Sequence, residues 1–377
     1  MSVQGTVKSN NMIDFMPPIQ LKDYLSFRKA MSSASFHKVS LTFRGRDSIA
    51  LASKHFKLGA QDTVLLPGYL CDIISAAFAG KCKLLYYDIR KDFSIDVNSV
   101  EDIFSKHLIK VFYIIHYFGF LHENLEQISC LCKKYGALLW EDHAHSVLSN
   151  MNYEYADAMF FSFRKILPVP DGGGIWLQDD STLNLVSGGS LTSDILSLLL
   201  FAKRRLWCTN KPLRSAARSL ARKDVSSLSQ GRKKIIVRPV SHMSHRMIRS
   251  ADTKRIVHDH RFLFDKWQRF IAGTRFEPVF SKLSEDVCPQ GFPIWIANPD
   301  QLLRELEVHK VFLKIQWPLP EYLRSLCPVS WRISKSIITL PIYPGLSTAD
   351  MESIITLLQR HGRPLSPDEI GEMIPAT

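Results

Sequence analysis

Between residues 40 and 180, short apolar runs alternate with stretches whose apolar positions recur every three or four residues. This alternation predicts repeated βα units around a mainly parallel sheet. The expected strands are Thr63–Leu66, Lys83–Tyr87, Lys110–His116, Ala137–Trp140, Ala158–Ser162 and Gly174–Leu177, with helices near 47–57, 71–79, 97–107 and 123–134. The fold class is α/β with a doubly wound sheet. In such sheets ligands gather beyond the carboxyl ends of the strands, where His116, Glu141 and Asp142 fall.

The pattern changes after residue 240. Gly291–Ile296 reads as a strand, Pro299–Val308 as a helix and Leu346–Leu358 as another, with Thr348 and Glu352 marking a helix start. The predicted organisation is an N-terminal arm over 1–35, a large domain over 36–240, a smaller α+β domain over 241–363 and a tail over 364–377.

At 377 residues and 46% apolar content, the chain can bury an ordinary core. Seven cysteines without a Cys-x-x-Cys pair, behind a polar N-terminus, predict free thiols in a reducing compartment, the cytoplasm. Ile195–Ala202, the longest apolar stretch, is far shorter than the roughly 20 residues that cross a bilayer. The net charge of +12 concentrates in a basic insertion near 195–236, where Lys203 to Lys234 carries many Lys and Arg and one acid, Asp224. Three readings fit it: a solvated insertion, attraction to a nucleotide diphosphate, or peripheral contact with an anionic membrane, given apolar Leu198–Phe201 and Trp207 beside the charges. No zinc-finger, RNP or basic heptad pattern points to nucleic acid.

Two segments carry the candidate chemistry, Leu138–His145 and, about twenty residues on, Ala158–Gly174. A lysine amine can hold the aldehyde of pyridoxal 5'-phosphate as a Schiff base, while a carboxylate at the end of a buried strand keeps the pyridine nitrogen protonated. Lys165 and Asp142 are the candidates. Taken singly, Lys165 beside Arg164 also reads as a surface pair, Asp142 as a strand-end or cap carboxylate, and Gly172–Gly174 as a hairpin turn. His116, Asp142, His143 and His145 can be drawn as a metal cluster, but this leaves Lys165 without a role and no metal site is expected. Ser162-x-x-Lys165 matches the first motif of penicillin-recognising serine enzymes, but its companion motifs are absent.

A series of motifs, in order, resembles the DegT/DnrJ/StrS family of pyridoxal phosphate-dependent sugar aminotransferases, which have the fold type I architecture of aspartate aminotransferase. The series comprises Arg44–Leu51, Leu58–Pro67, Tyr87-Asp88, Ser94–Asp96, His116–Gly119, Glu141–His145, Ser162–Leu167, Gly172–Gly174, Ser244–Met247 and Leu340–Leu346. The resemblance implies that Lys165 carries the cofactor and shuttles the proton, and that Asp142 partners the pyridine nitrogen. It further implies that Ser162 and the turn at Arg46-Asp47 bind the phosphate and that His145 stands beside the phenolic oxygen. Tyr69 would stack on the ring, and Ser244 would reach the phosphate from the partner subunit of a homodimer.

The implied reaction moves an amino group from glutamate to a nucleotide-linked keto-sugar, feeding polysaccharide or glycosylated-metabolite synthesis. The chain departs from the family pattern in its three-residue Ser162–Lys165 spacing and at Arg46-Asp47, His145 and Ser244, which marks it as divergent. A non-catalytic or regulatory member is the alternative, as is another reaction on a nucleotide sugar such as dehydration. Retention of Lys165 argues against dehydration, because the family's dehydratases lack that lysine.

Overall fold

Val111–Ile115 buries all five of its side chains, as a strand covered on both faces must, and it lies inside the main sheet. The computed structural model describes residues 13–15, 36, 38–179, 191–207 and 235–373. Its main sheet has seven strands: β2 (Ser40–Thr42), β3 (Thr63–Pro67), β4 (Lys83–Tyr87), β5 (Val111–Ile115), β6 (Leu138–Asp142), β7 (Ala158–Ser162) and β8 (Gly173–Leu177). Their spatial order is β2-β8-β7-β6-β5-β3-β4. Strands β4, β3, β5, β6 and β7 are mutually parallel, and β8 runs antiparallel between β7 and β2.

Helices α1 (Gly45–His55), α2 (Asp72–Phe78), α3 (Val97–Lys106) and α4 (Leu125–Tyr135) alternate with the strands. Each of these helices was expected to within about two residues at its ends, and so were the six strands. The chain reverses its direction of travel across the sheet at β3, which has β4 on one side and β5 on the other. A crevice outside the strand ends is the geometric consequence.

Two further helices, α5 (Leu191–Trp207) and α6 (His242–Arg249), follow the sheet. Met247, Ile248 and Ala251 pack with Val39, Leu41, Phe161 and Phe163 on the β2–β8 side. A second core then forms around α7 (Thr253–Ala272), β9 (Gly291–Trp295), α8 (Pro299–Val308) and β11 (Ile337–Pro341), which pairs antiparallel with β9. The ring of Trp267 fills its centre and donates from Nε1 to the carbonyl of Pro341 at 2.8 Å. The short strand β10 (Val311–Phe312) pairs in parallel with β1 (Ile13–Asp14), so the described part of the arm is tied to this core.

Helix α10 (Thr348–His361) begins two residues later than the expected Leu346, because Ser347 caps it in a reciprocal box with Asp350. The segment read as a tail differs over its described part. Pro367–Met373 forms α11, and Leu365 and Ile370 bury their side chains against the main core, which the count of prolines had concealed. The chain from Trp317 to Ile333 crosses back to that core as well. Leu319, Leu323, Cys327 and Ile333 pack there, and the carboxylate of Asp88 accepts from the Val329 and Ser330 amides, each at 2.8 Å, opening helix α9 (Pro328–Ser334). Of the basic insertion, residues 208–234 lie outside the described residues. Among the described residues no helix is long and apolar enough to cross a membrane.

Candidate active site

The parallel run of strands places Asp142 and Ser162 at the ends of adjacent β6 and β7, and a cavity opens in front of them. Asp142 is buried and held in a fixed orientation: one carboxylate oxygen accepts from the Tyr113 hydroxyl and the other from the Ala144 amide, each at 2.8 Å. A single 3-10 turn, Phe163–Lys165, carries the chain from β7 into the cavity and sets Lys165 on its wall. Lys165 keeps some accessible surface because the cavity reaches it, yet the surrounding protein strips enough water to lower its amine to about 8. Attraction to Asp142 works against that fall, and the ammonium of Lys314 works with it. At pH 7 roughly a tenth of such an amine is unprotonated.

His145 lies against Trp317, with ring centroids 5.1 Å apart and planes 27° apart. Its Nδ1 accepts from the Phe118 amide at 3.3 Å, so Nε2 carries the hydrogen. That Nε2 is buried, has no hydrogen-bond partner within the protein, and belongs to a cavity-lining side chain. Burial, reinforced by the ammonium groups of Lys165 and Lys314, holds the imidazole neutral, well below its usual range. His145 therefore offers the cavity one unpaired donor.

The opposite wall is the N-terminus of α1, where Arg44, Gly45 and Arg46 line the cavity. Gly173 explains how this helix comes so close. A Cβ there would stand 2.3 Å from the Arg44 carbonyl carbon and 2.5 Å from the Gly45 nitrogen, while Gly173 is also the register partner of Ser162. The glycine run read as a possible turn thus lets the helix start, Ser162 and Lys165 converge. Two arginines, the start of a helix and a serine share this wall, the kinds of group that attract an anion.

Not every expected residue joins this group. Asp47 does not line the cavity; its amide donates to the Arg44 carbonyl at 2.9 Å. Its carboxyl is pushed up to about 6 by burial, against the pull of Arg46, Arg44 and Arg238. Tyr69 is fully buried behind the wall, packed on Phe93, Tyr117 and Trp317, and Cys71, Ile73 and Ile74 line the cavity instead. The Ser244 hydroxyl donates to Asp171 at 2.8 Å, in a cluster that Ser241 completes. Trp317, with its ring 5.7 Å from the Lys165 amine, is a cavity residue that no sequence motif marked.

Behind β6 lies a second polar group. His116 and His143 each donate from Nε2 to the same oxygen of Glu141, at 2.9 and 3.1 Å. Their Nδ1 atoms are also occupied, that of His116 by the His122 amide at 3.2 Å and that of His143 by the Ser146 hydroxyl at 2.9 Å. Burial alone raises the Glu141 pKa, but the two histidine hydrogen bonds outweigh it and hold the carboxyl at about 2. The three side chains are close enough to chelate an ion. All four ring nitrogens are engaged, which leaves Glu141 Oε1 as the one unpaired atom of the three side chains.

Residues 30–187 match the DegT/DnrJ/EryC1/StrS aminotransferase family. Over that stretch, less than half of its length, the chain is similar to that family. The matched stretch holds Arg44, Asp142, His145, Ser162 and Lys165 and ends before Ser244. Among curated relatives, the dTDP-3-amino-3,6-dideoxy-alpha-D-galactopyranose transaminase of Aneurinibacillus thermoaerophilus is 22% identical over 333 residues, 84% of each chain. The fold is that of a putative sugar aminotransferase, Spr1654 from Streptococcus pneumoniae, in its PLP-form, with a TM-score of 0.66 at 14% identity over 97% of this chain and 100% of that one. The aminotransferase TlmJ from Streptoalloteichus hindustanus superposes with a TM-score of 0.65 at 17% identity, over 93% and 98% of the two chains.

Proposed function

We propose that the cavity binds pyridoxal 5'-phosphate and that the protein transfers an amino group from glutamate to a keto-sugar carried on a nucleotide. The observation that carries this reading is that Lys165, from the turn after β7, and Asp142, from the end of the adjacent β6, line one cavity with the start of α1. Three features fit the cofactor: a buried carboxylate for a ring nitrogen, an unpaired donor at His145 Nε2 for a ring oxygen, and the Arg44–Arg46 turn with Ser162 for a phosphate. When bound, pyridoxal phosphate supplies a ring that accepts the electron pair released as a carbon–hydrogen bond beside the amine breaks.

The protein's own groups divide the remaining work. Lys165 Nζ holds the cofactor and then moves the proton at the substrate carbon; its lowered basicity supplies an unprotonated fraction at neutral pH. Asp142 is placed to hold a proton on the ring nitrogen, with Tyr113 and Ala144 fixing its orientation. Trp317, His145 and the β5 and β7 aromatic residues wall the cavity against water, which strengthens each electrostatic contact within it. The A. thermoaerophilus relative acts on a dTDP-linked sugar, as its name states, which supports the nucleotide-sugar class.

The test is to purify wild type and Lys165→Ala with pyridoxal phosphate, dialyse, record visible absorbance, and then add glutamate followed by a nucleotide keto-sugar. The reading expects cofactor absorbance retained only by wild type, changed by glutamate, and an aminated sugar formed. Absence of retained cofactor from the wild type sinks the cofactor assignment. Retention by Lys165→Ala equal to wild type removes Lys165 from its role.

A further inference from the structure

His145 is a cavity residue with little holding its own ring. Its one hydrogen bond, from the Phe118 amide to Nδ1, is 3.3 Å long, and Nε2 has no partner within the protein. An imidazole held this way can turn over about Cβ–Cγ or move its hydrogen from Nε2 to Nδ1, and either change withdraws the donor. Two sets of contacts oppose those changes, and both lead to the dipeptide Gln316-Trp317, far along the chain.

The first is the indole. Trp317 covers one face of the imidazole at 5.1 Å with the planes 27° apart, which blocks rotation through that face. The indole is itself fixed: it is buried, and its ring meets those of Tyr69 and Tyr117 at 5.4 and 6.3 Å. Stacking holds the plane of the imidazole without choosing between its nitrogens. That choice belongs to the Phe118 amide, which obliges Nδ1 to accept. Phe118 lies in the left-handed region, at φ 56° and ψ 12°, a conformation that a side-chain-bearing residue keeps only where its surroundings hold it. What holds it is the Gln290 amide, which donates to the Phe118 carbonyl at 2.8 Å. Gln290 is secured in turn, because its Oε1 accepts from Gln316 Nε2 at 3.2 Å and both side chains are buried.

Building on the cofactor reading above, we propose that Gln316 and Trp317 are positioning residues that keep the hydrogen of His145 on Nε2, where the ring oxygen of a bound cofactor would accept it. The indole also lies 5.7 Å from Lys165 Nζ, so its replacement has a second route of action that the measurement must separate. The tautomer is read by nitrogen-15 NMR of the full chain labelled at histidine and purified without added cofactor, with His145→Phe identifying the resonance. Wild type should show the Nε2-protonated form alone. Trp317→Leu and Gln316→Met should each raise the other tautomer about tenfold, while Trp317→Phe, which keeps a ring face, should restore the wild-type spectrum. Gln316→Met carries the measurement should Trp317→Leu not fold. In the cofactor-loaded protein a donor to the ring oxygen favours its ionised form, so Trp317→Leu should raise the pH midpoint of the visible absorbance change by about one unit. His145→Phe should raise it equally, and the Trp317→Leu/His145→Phe pair no further than either alone. A folded Trp317→Leu or Gln316→Met protein with the wild-type tautomer overturns the proposal. Shifts that add in the double variant overturn it too, because they route the indole's effect through Lys165. A wild type that retains no cofactor absorbance removes the cofactor reading instead, and the tautomer still decides the positioning.

Discussion

The five residues Glu141–His145 build two polar groups on opposite sides of one strand end, and the two are finished differently. Behind β6, Glu141 gathers His116 and His143, and every ring nitrogen has a partner. In front, Asp142 and His145 face Lys165 with a donor unpaired and an amine lowered to about 8. Each side leaves one buried atom unpaired, but Glu141 Oε1 does not line the cavity whereas His145 does, and a group left open on a cavity wall is a place for a ligand. Burial alone does not separate the two, since Glu141 and His145 are equally out of water.

That contrast is sharpest at Lys165. Replacing it with Ala should lower aminotransfer by about 10⁴-fold, measured as aminated sugar formed per enzyme. Because burial lowers the cofactor-free amine to about 8, capture of pyridoxal phosphate by the apoenzyme should speed up as pH rises from about 6 toward 8 and level above it, which the rate of cofactor-absorbance growth against pH reads. Asp142→Asn comes next, with about 10²- to 10³-fold lost and a slightly lower melting temperature, since the single amide oxygen can keep only one of the Tyr113 and Ala144 hydrogen bonds. The closed side should respond in stability rather than rate: Glu141→Ala leaves two buried imidazole N–H groups unpaired and should lower unfolding free energy by about 3 kcal/mol in urea titrations.

The pH sign follows from the depressed Glu141 carboxyl. Its contribution to stability is present above the ordinary 4.5 and is lost as pH falls toward about 2. The smallest effect falls on His145→Phe, which removes the unpaired donor but keeps a ring against Trp317 and should weaken cofactor affinity about tenfold by equilibrium dialysis. An Asp142→Asn enzyme with full activity, or a Glu141→Ala protein as stable as wild type, would erase the distinction between the two sides.

Much of this was legible in the chain. The βα alternation located the sheet and its helices because a strand buried on both faces has to be a continuous apolar run. Asp142, Ser162 and Lys165 were legible because strand ends are where such sheets place ligands, and the motifs that hold them come in a known order, although the Ser162–Lys165 spacing is shorter than the pattern's. Tyr69 was misread because the turn after Pro67 decides which side chain faces inward, and it turns Cys71 to the cavity and Tyr69 to the core. Trp317 was invisible for a different reason. It reaches the cavity from the far end of the chain, through a segment whose composition resembles a loop, and only tertiary packing brings it to Lys165.

That long reach has a thermodynamic consequence. The cavity's wall is complete only while the Trp317–Ile333 segment stays packed on the main core, anchored where Asp88 caps α9. Any molecule that binds the finished cavity more tightly than the open one must favour that packing by the same free energy. Occupancy and the union of the two cores are therefore a single coupled equilibrium, and the protein should resist proteolysis between residues 317 and 333 in proportion to how full its cavity is.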